Sequence, residues 1–156
     1  MKRIGILGDI GSGKSYVAKS FGYPVFDADN EVSKLYRSDK KIFNKLKKEL
    51  PKYFKKFPIE KNIVLKAILD KKNNLKKIVK IVHLEIKKKM NYFLKRNKNK
   101  KFVVLDVPLL LENKINRKGD ILIFVKSEKS MVLKMLKRRK NFNRKLLNKF
   151  KKIQLS

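Results

Sequence analysis

The sequence contains no cysteine, no tryptophan and a single histidine, His83. Without cysteine the chain forms no disulfide and offers no thiolate metal ligand and no cysteine nucleophile. One histidine without cysteine partners cannot complete a zinc site, so a packed helix residue is the simplest reading of His83. These absences exclude a disulfide-stapled secreted domain and thiol-based chemistry.

Long apolar runs are also missing. No run approaches the ~20 residues that cross a bilayer, and the first apolar stretch is broken at Gly8 and Asp9, which is not typical of a signal peptide. Hydrophobic residues still make up 42% of the 156 residues, enough for one α/β domain with a core and too little chain for two. We expect a cytoplasmic protein without a membrane partner.

Acidic residues are scarce, 13 against 44 lysines and arginines, which gives a formal net charge of +31. Lysine is spread through almost every segment together with many Asn and Ile residues, a pattern typical of A/T-rich codon usage. A dedicated nucleic-acid surface would gather arginine and aromatic residues on one face. We therefore expect no specific nucleic-acid partner, although the charge will attract phosphorylated ligands.

Short apolar segments alternate with helical patterns along the chain. The predicted strands are residues 3–7, 23–26, 102–106 and 121–125. The predicted helices are 14–21, several between 30 and 96, 127–138, and a last one carrying Leu146 to Ile153. This alternation predicts an α/β fold with a parallel sheet flanked by helices.

The segment 30–96 is too long for a simple crossover and predicts an inserted helical subdomain. Pro51 and Pro58 should break its first part into short helices. Apolar residues from Leu75 to Leu94 recur at three- and four-residue spacing, which predicts one long amphipathic helix.

The segment Gly8-Asp9-Ile10-Gly11-Ser12-Gly13-Lys14-Ser15 matches the P-loop pattern G-x-x-x-x-G-K-[ST]. Its glycines let backbone N–H groups surround a phosphate, Lys14 reaches the β- and γ-phosphates, and Ser15 offers a hydroxyl to Mg²⁺. Because a strand precedes the match and a helix follows it, a turn that binds nothing is a weak alternative. The predicted ATP-binding residues are Gly8, Gly11, Ser12, Gly13, Lys14, Ser15 and Tyr16.

Three acids follow strands on the edge of the sheet where open α/β folds bind ligands. Asp106 ends an apolar strand, where a carboxylate normally supports Mg²⁺ in P-loop enzymes. Asp27 and Asp29 end another, alternation places them on the same side, and one of them could accept a proton from an acceptor hydroxyl. Taken alone, Asp27 and Asp29 are each as well explained as ordinary turn residues, whereas for Asp106 an ordinary strand-terminal acid is the weaker alternative.

Together these residues resemble the dephospho-CoA kinase family. The resemblance is carried by Ile4 to Ser15, by Pro24-Val-Phe-Asp27-Ala-Asp29, by Ile81-Val-His83, and above all by Leu105-Asp106-Val-Pro108-Leu-Leu-Leu-Glu112. The last segment is similar to the family's D-V-P-L-L-F-E motif. Met135-Leu-Lys-Arg-Arg139 looks like the start of the family's lid.

The resemblance implies a P-loop fold and transfer of the ATP γ-phosphate to the ribose 3′-hydroxyl of dephospho-CoA, with ATP and Mg²⁺ required. Its catalytic residues would be Lys14, the general base Asp29 and the lid residue Arg139, and its metal-site residues Ser15 and Asp106. The implied acceptor-binding residues are Asp29, His83, Lys87, Pro108, Leu109 and Glu112. The core would be residues 1–29 and 101–137, the CoA-binding subdomain 30–100 and the lid 138–152, in a monomer or weak homo-oligomer.

This sequence departs from the family pattern at several positions. Tyr16 replaces the usual Thr, His83 is followed by Leu84 with Lys87 nearby instead of Pro and Arg, and Lys34 stands where Arg or His is common. The chain ends at Ser156, whereas the family continues with a final strand and helix. We expect a truncated copy or a fragment, or else a sheet that manages with four strands.

Two other functions fit part of the pattern. A P-loop kinase acting on a nucleoside monophosphate or another small molecule would share the loop but leave Asp106 to Glu112 unexplained. A truncated, non-catalytic protein would bind nucleotide without turnover.

Overall fold

A computed structural model of the chain describes residues 1–9, 11–107 and 119–128, together with Met131, Lys134 and Arg138. Its four described strands are β1 (Lys2–Gly8), β2 (Val25–Asp27), β3 (Phe102–Asp106) and β4 (Ile121–Val125). They form a parallel sheet in the order β2-β3-β1-β4. The prediction of a parallel α/β sheet flanked by helices is confirmed.

The side chains of the two central strands, β3 and β1, form the buried part of the sheet. β3 is an almost continuous apolar run, and Val103, Val104 and Leu105 are buried along it. Ile4 and Ile6 of β1 pack with Val104 in a core cluster. Such unbroken burial is expected of a central parallel strand that is covered on both faces.

Helix α1 (Lys14–Ser20) follows the glycine-rich loop directly. Ala18 is fully buried in the sheet cluster and Val17 is half-buried, as the helical spacing predicts. Phe21, predicted on the same inner face, is instead exposed. It is the C-cap residue past the end of α1, and the chain turns away directly after it at Gly22, whose φ is 69°.

The second strand ends one residue later than predicted, and helix α2 (Ala28–Ser38) begins at once. Asp27 is therefore the last strand residue, while Asp29 already lies in the first turn of α2. The prediction that strand alternation places Asp27 and Asp29 on the same side is wrong. The two-residue alternation of a strand does not continue into a helix, whose side chains follow a 3.6-residue period.

The remaining described helices are α3 (Lys40–Glu49), α4 (Lys61–Asp70) and α5 (Asn74–Arg96). Asp39 caps α3, since its carboxylate accepts from the Ile42 N–H at 3.0 Å. α3 ends before Pro51 and α4 begins after Pro58, as those prolines predict. The apolar stripe of α5 is confirmed by the burial of Leu75, Ile78, Val82, Ile86 and Met90.

The chain divides into two compact units. The first, the sheet unit, comprises Met1–Asp29 and the described residues from Met90 onward. The second, the helical unit, is Asn30–Lys89. None of the described helices is long and apolar enough to cross a membrane.

Candidate functional site

Two glycines shape the loop between β1 and α1, and each is required for a different reason. A Cβ on Gly8 would lie 2.8 Å from the Ser12 hydroxyl and closer still to the Val125 carbonyl oxygen, so no side chain fits there. Gly13 has open space around its Cα, but its φ of 90° is one that other residues rarely adopt. The loop therefore depends on close approach at its start and on a left-handed turn at its end.

Lys14 reaches back across this loop. Its ammonium group donates to the Gly8 carbonyl at 2.7 Å and, more weakly, to the Asp9 carbonyl at 3.5 Å. An ammonium group has three N–H donors on a flexible stem, so it can exchange carbonyl partners for phosphate oxygens without moving its backbone.

Ser15 and Asp106 meet although 91 positions separate them in sequence. The Ser15 hydroxyl donates to a carboxylate oxygen of Asp106 at 2.6 Å. Asp106 is only 7% exposed, and burial raises the pKa of its carboxyl group, an effect that the Ser15 hydrogen bond opposes and the nearby charge of Asp27 reinforces. The fold thus holds an acid where its ionised form is disfavoured.

Asp27 lies directly beside Asp106, because the two residues pair in register at the ends of β2 and β3. Parallel strands bring their carboxyl ends to one edge of a sheet, the edge where open α/β folds bind ligands. Sequence reasoning named Asp27 without choosing it as a site residue. The strand register is what makes it the direct neighbour of Asp106.

These oxygen atoms fit Mg²⁺. A carboxylate and a hydroxyl within 2.6 Å of each other are hard ligands, and each could bind the ion directly or through water. Among the described residues no group of three His, Cys, Asp or Glu side chains could hold a metal ion unaided. This sparse donor set suits Mg²⁺, which usually takes one or two protein ligands and completes its shell with water and substrate phosphates.

A second strand end also touches the loop. The hydroxyl of Ser127, two residues past β4, donates to the Ser12 carbonyl at 2.8 Å. No local sequence pattern predicts this contact; the sequence places Ser127 only at the start of the predicted helix 127–138, most of which lies outside the described residues.

The other predicted site residues are placed as follows. Asp29 is exposed in the first turn of α2, and Tyr16 projects from α1 with 81% of its surface accessible. In the helical unit, His83 is half-buried and Lys87 exposed on α5. Arg139, Pro108, Leu109 and Glu112 lie outside the described residues, and so does nearly all of the predicted lid.

The arrangement can bind a phosphate chain and a divalent cation side by side. The loop supplies backbone N–H groups, Lys14 a cation, and Ser15 with Asp106 hard oxygen ligands. A further carboxylate, Asp27, lies at the same edge of the sheet, and Asp29 follows two residues later in the first turn of α2. Groups of these kinds are suited to phosphoryl transfer, which relies on positioning the reactants and on stabilising charge.

Comparison with known proteins is consistent with this chemistry. The family model described as dephospho-CoA kinase matches residues 2–156. A protein named dephospho-CoA kinase from Wolbachia sp. subsp. Brugia malayi is 37% identical, with 97% of this chain and 80% of that protein covered. One of the same name from Rickettsia typhi is 31% identical, covering 100% and 81%. The crystal structure of TT1252 from Thermus thermophilus superposes with a TM-score of 0.75 at 25% identity, covering 98% of this chain and 80% of that one.

Proposed function

Because this chain belongs to the dephospho-CoA kinase family, we propose that it transfers the γ-phosphate of ATP to the ribose 3′-hydroxyl of dephospho-CoA, the last step of coenzyme A synthesis. The observation that carries the proposal is the joining of Lys14, Ser15 and Asp106 at one edge of the sheet, within a chain that matches this family over its length. The reaction would take place in the cytoplasm.

ATP would lie with its β- and γ-phosphates in the loop from Gly8 to Ser15. Gly11 and Gly13 carry no side chain that would block phosphates from the loop N–H groups, and Lys14 would exchange the Gly8 carbonyl for phosphate oxygens. As negative charge builds up between the β- and γ-phosphates, the ammonium group stabilises it more than it stabilises bound ATP.

Ser15 and Asp106 would hold Mg²⁺, which supplies charge neutralisation across the β- and γ-phosphates when it is bound. Asp106 is suited to this role because, among the described residues, its carboxylate accepts a hydrogen bond from the Ser15 hydroxyl, and burial outweighs this bond and the nearby lysine charges in disfavouring the ionised form. A nearby cation would relieve that cost and keep Asp106 ionised.

Asp29 is proposed as the general base. Its carboxylate would accept the proton of the 3′-hydroxyl while that oxygen forms a bond to the γ-phosphorus and the bond to the departing ADP breaks. Exposure of Asp29 in the first turn of α2 leaves it accessible to an acceptor.

The remaining roles rest on family resemblance alone. His83 and Lys87 of the helical unit, with Pro108, Leu109 and Glu112, would bind dephospho-CoA, and Arg139 would bring a guanidinium to the transferring phosphoryl group. Lys87 in place of arginine offers a point charge and loses the planar, bidentate geometry. We therefore expect weaker discrimination of the acceptor phosphates than an arginine would give.

The test is to incubate the purified chain with dephospho-CoA, ATP and Mg²⁺ and to follow coenzyme A by mass, with nucleoside monophosphates offered in parallel. Turnover with dephospho-CoA alone is expected. Lys14→Ala should lower kcat by about a hundredfold or more, whereas Lys2→Ala, which removes an exposed lysine at the opposite end of β1, should leave it unchanged.

Two results would contradict the proposal. Turnover with a nucleoside monophosphate in preference to dephospho-CoA would point to a different P-loop kinase. ATP binding with no turnover on any acceptor would indicate a nucleotide-binding protein without this activity.

A further inference from the structure

Ser127 has no role in the mechanism above, yet it makes a contact with the phosphate-binding loop that connects strands far apart in sequence. Its hydroxyl donates to the Ser12 carbonyl at 2.8 Å across 115 positions. The segment that carries it leaves β4, whose last residue, Val125, pairs in register with Gly8. The end of β4 therefore lies against both ends of the loop.

Among the described residues, the other restraints on Ser12 come from its backbone and its packing. Its N–H donates to the Asp9 carbonyl at 3.0 Å, and its side chain is buried against Gly8. Within the part of the chain that the structure describes, the buried Ser12 hydroxyl has no hydrogen-bond partner. Its side chain thus contributes no polar restraint, and the Ser127 bond is the restraint on its carbonyl.

The carbonyl of Ser12 and the N–H of Gly13 belong to the same peptide unit. In a trans peptide these two groups point in opposite directions. A hydroxyl that holds the carbonyl toward β4 therefore directs the Gly13 N–H away from β4, into the loop where phosphates bind.

This peptide unit is unusually free to rotate without such a restraint. Rotation of a peptide plane changes ψ of the residue before it and φ of the residue after it, and the residue after it is Gly13. Glycine occupies positive and negative φ at similar energy, so backbone preference alone does not select the φ of 90° that is observed.

We propose that Ser127 is a positioning residue for the nucleotide: its hydroxyl fixes the Ser12–Gly13 peptide so that the Gly13 N–H points at the ATP phosphates. The inference rests on the proposed function only in that the loop binds ATP. It requires neither dephospho-CoA as the acceptor nor turnover.

The experiment measures binding of a non-hydrolysable ATP analogue by calorimetry in the presence of Mg²⁺. Ser127→Ala should weaken binding about threefold to tenfold, the range expected for loss of one hydrogen bond. Ser127→Thr should restore it, and Ser127→Val, which has the shape of threonine without the hydroxyl, should not. In turnover, KM for ATP should rise with Ala or Val while KM for the acceptor stays the same.

Ser38→Ala is the matched control, because the Ser38 hydroxyl also donates to a backbone carbonyl at 2.8 Å, that of Lys34 at the end of α2, outside the phosphate-binding loop. It should leave analogue binding unchanged. Melting temperatures of all variants without nucleotide separate loop positioning from a general loss of stability.

Equal analogue affinity in Ser127→Val and the unaltered chain would overturn this inference and leave the proposed function standing. A variant that melts lower but binds normally would assign Ser127 a structural role only. Failure of the unaltered chain to bind the analogue would overturn both, whereas binding without turnover would overturn the proposed function alone.

Discussion

The two ends of the sheet differ in how their buried charges are compensated: one holds an ion pair, and the other holds a carboxylate beside another acid. At the amino end, Arg3 beside β4 forms an ion pair with Asp120, and their side chains are 6% and 10% exposed. The Arg3 Nε donates to one carboxylate oxygen at 2.8 Å and a second guanidinium nitrogen donates to the other. Each charge is matched by its opposite in a bidentate geometry.

At the carboxyl end, Asp106 is buried to a similar degree but has the Ser15 hydroxyl and a neighbouring acid, Asp27, in place of an arginine. Burial raises the pKa of the Asp106 carboxyl group. At the amino end the two buried charges neutralise each other. At the carboxyl end two carboxyl groups are neighbours, and a bound cation can neutralise their negative charge. This difference separates a structural pair from a candidate site in the same sheet.

The largest change in stability is expected for Asp120→Asn, at the amino end of the sheet. The substitution removes the carboxylate charge that Asp120 presents to the buried Arg3 guanidinium, and removing one partner of a buried pair typically costs about 3–5 kcal/mol. Denaturant unfolding would measure the loss in the free energy of unfolding. Replacing both partners by apolar residues, as in Arg3→Met with Asp120→Leu, should cost much less, and a double variant as unstable as the single one would contradict this account.

Asp106→Asn should lower activity while leaving stability intact, the opposite of what is expected for Asp120→Asn. Activity is expected to fall about a hundredfold because a Mg²⁺ ligand is lost, which corresponds to about 2.7 kcal/mol in the barrier. The free energy of unfolding should stay the same or rise, since the amide still accepts from Ser15 and carries no charge. A loss of stability as large as that of Asp120→Asn would show that Asp106 is part of the structural framework.

The pH dependence of stability should sharpen the same contrast. Since the folded-state pKa of Asp106 lies above its ordinary value of 3.8, the folded protein binds this proton more tightly than the unfolded chain. The protonated Asp106 carboxyl group therefore contributes to the free energy of unfolding in full below pH 3.8, and this contribution is lost as the pH rises through the folded-state pKa. Measured without Mg²⁺, the stability of Asp106→Asn relative to the unaltered chain should therefore increase between acid and neutral pH; a flat difference would contradict the raised pKa.

The smallest effect is expected on the surface of the helical unit. Lys88 forms an exposed ion pair with Glu85 at 3.3 Å, one helical turn away. Lys88→Gln removes the charge with little change in helix propensity and should change the free energy of unfolding by less than about 0.5 kcal/mol. A larger loss would mean that exposed pairs contribute more in this lysine-rich chain than their geometry suggests.

Local patterns in the sequence were sufficient to predict much of the fold and the position of the phosphate-binding loop. The strands that contain Ile4, Val104 and Ile123, the helix that follows Lys14, and the long helix of the helical unit lie where spacing predicted them. Prediction failed where one element gives way to the next. Asp29 was counted with a strand that had already ended, and Phe21 with a helix that had ended one residue earlier.

Residue identity and spacing by themselves determined the alternation of strands and helices, the glycines of the phosphate-binding loop, and the place of Lys14 beside it. The tertiary structure decided which distant residues join that loop: Asp106 on Ser15, Asp27 beside Asp106, and Ser127 on the Ser12 carbonyl. The physical reason is that helix and turn preferences act over a few neighbouring residues. Strand order and register are set by packing and pairing between segments about a hundred positions apart, which a local pattern does not encode.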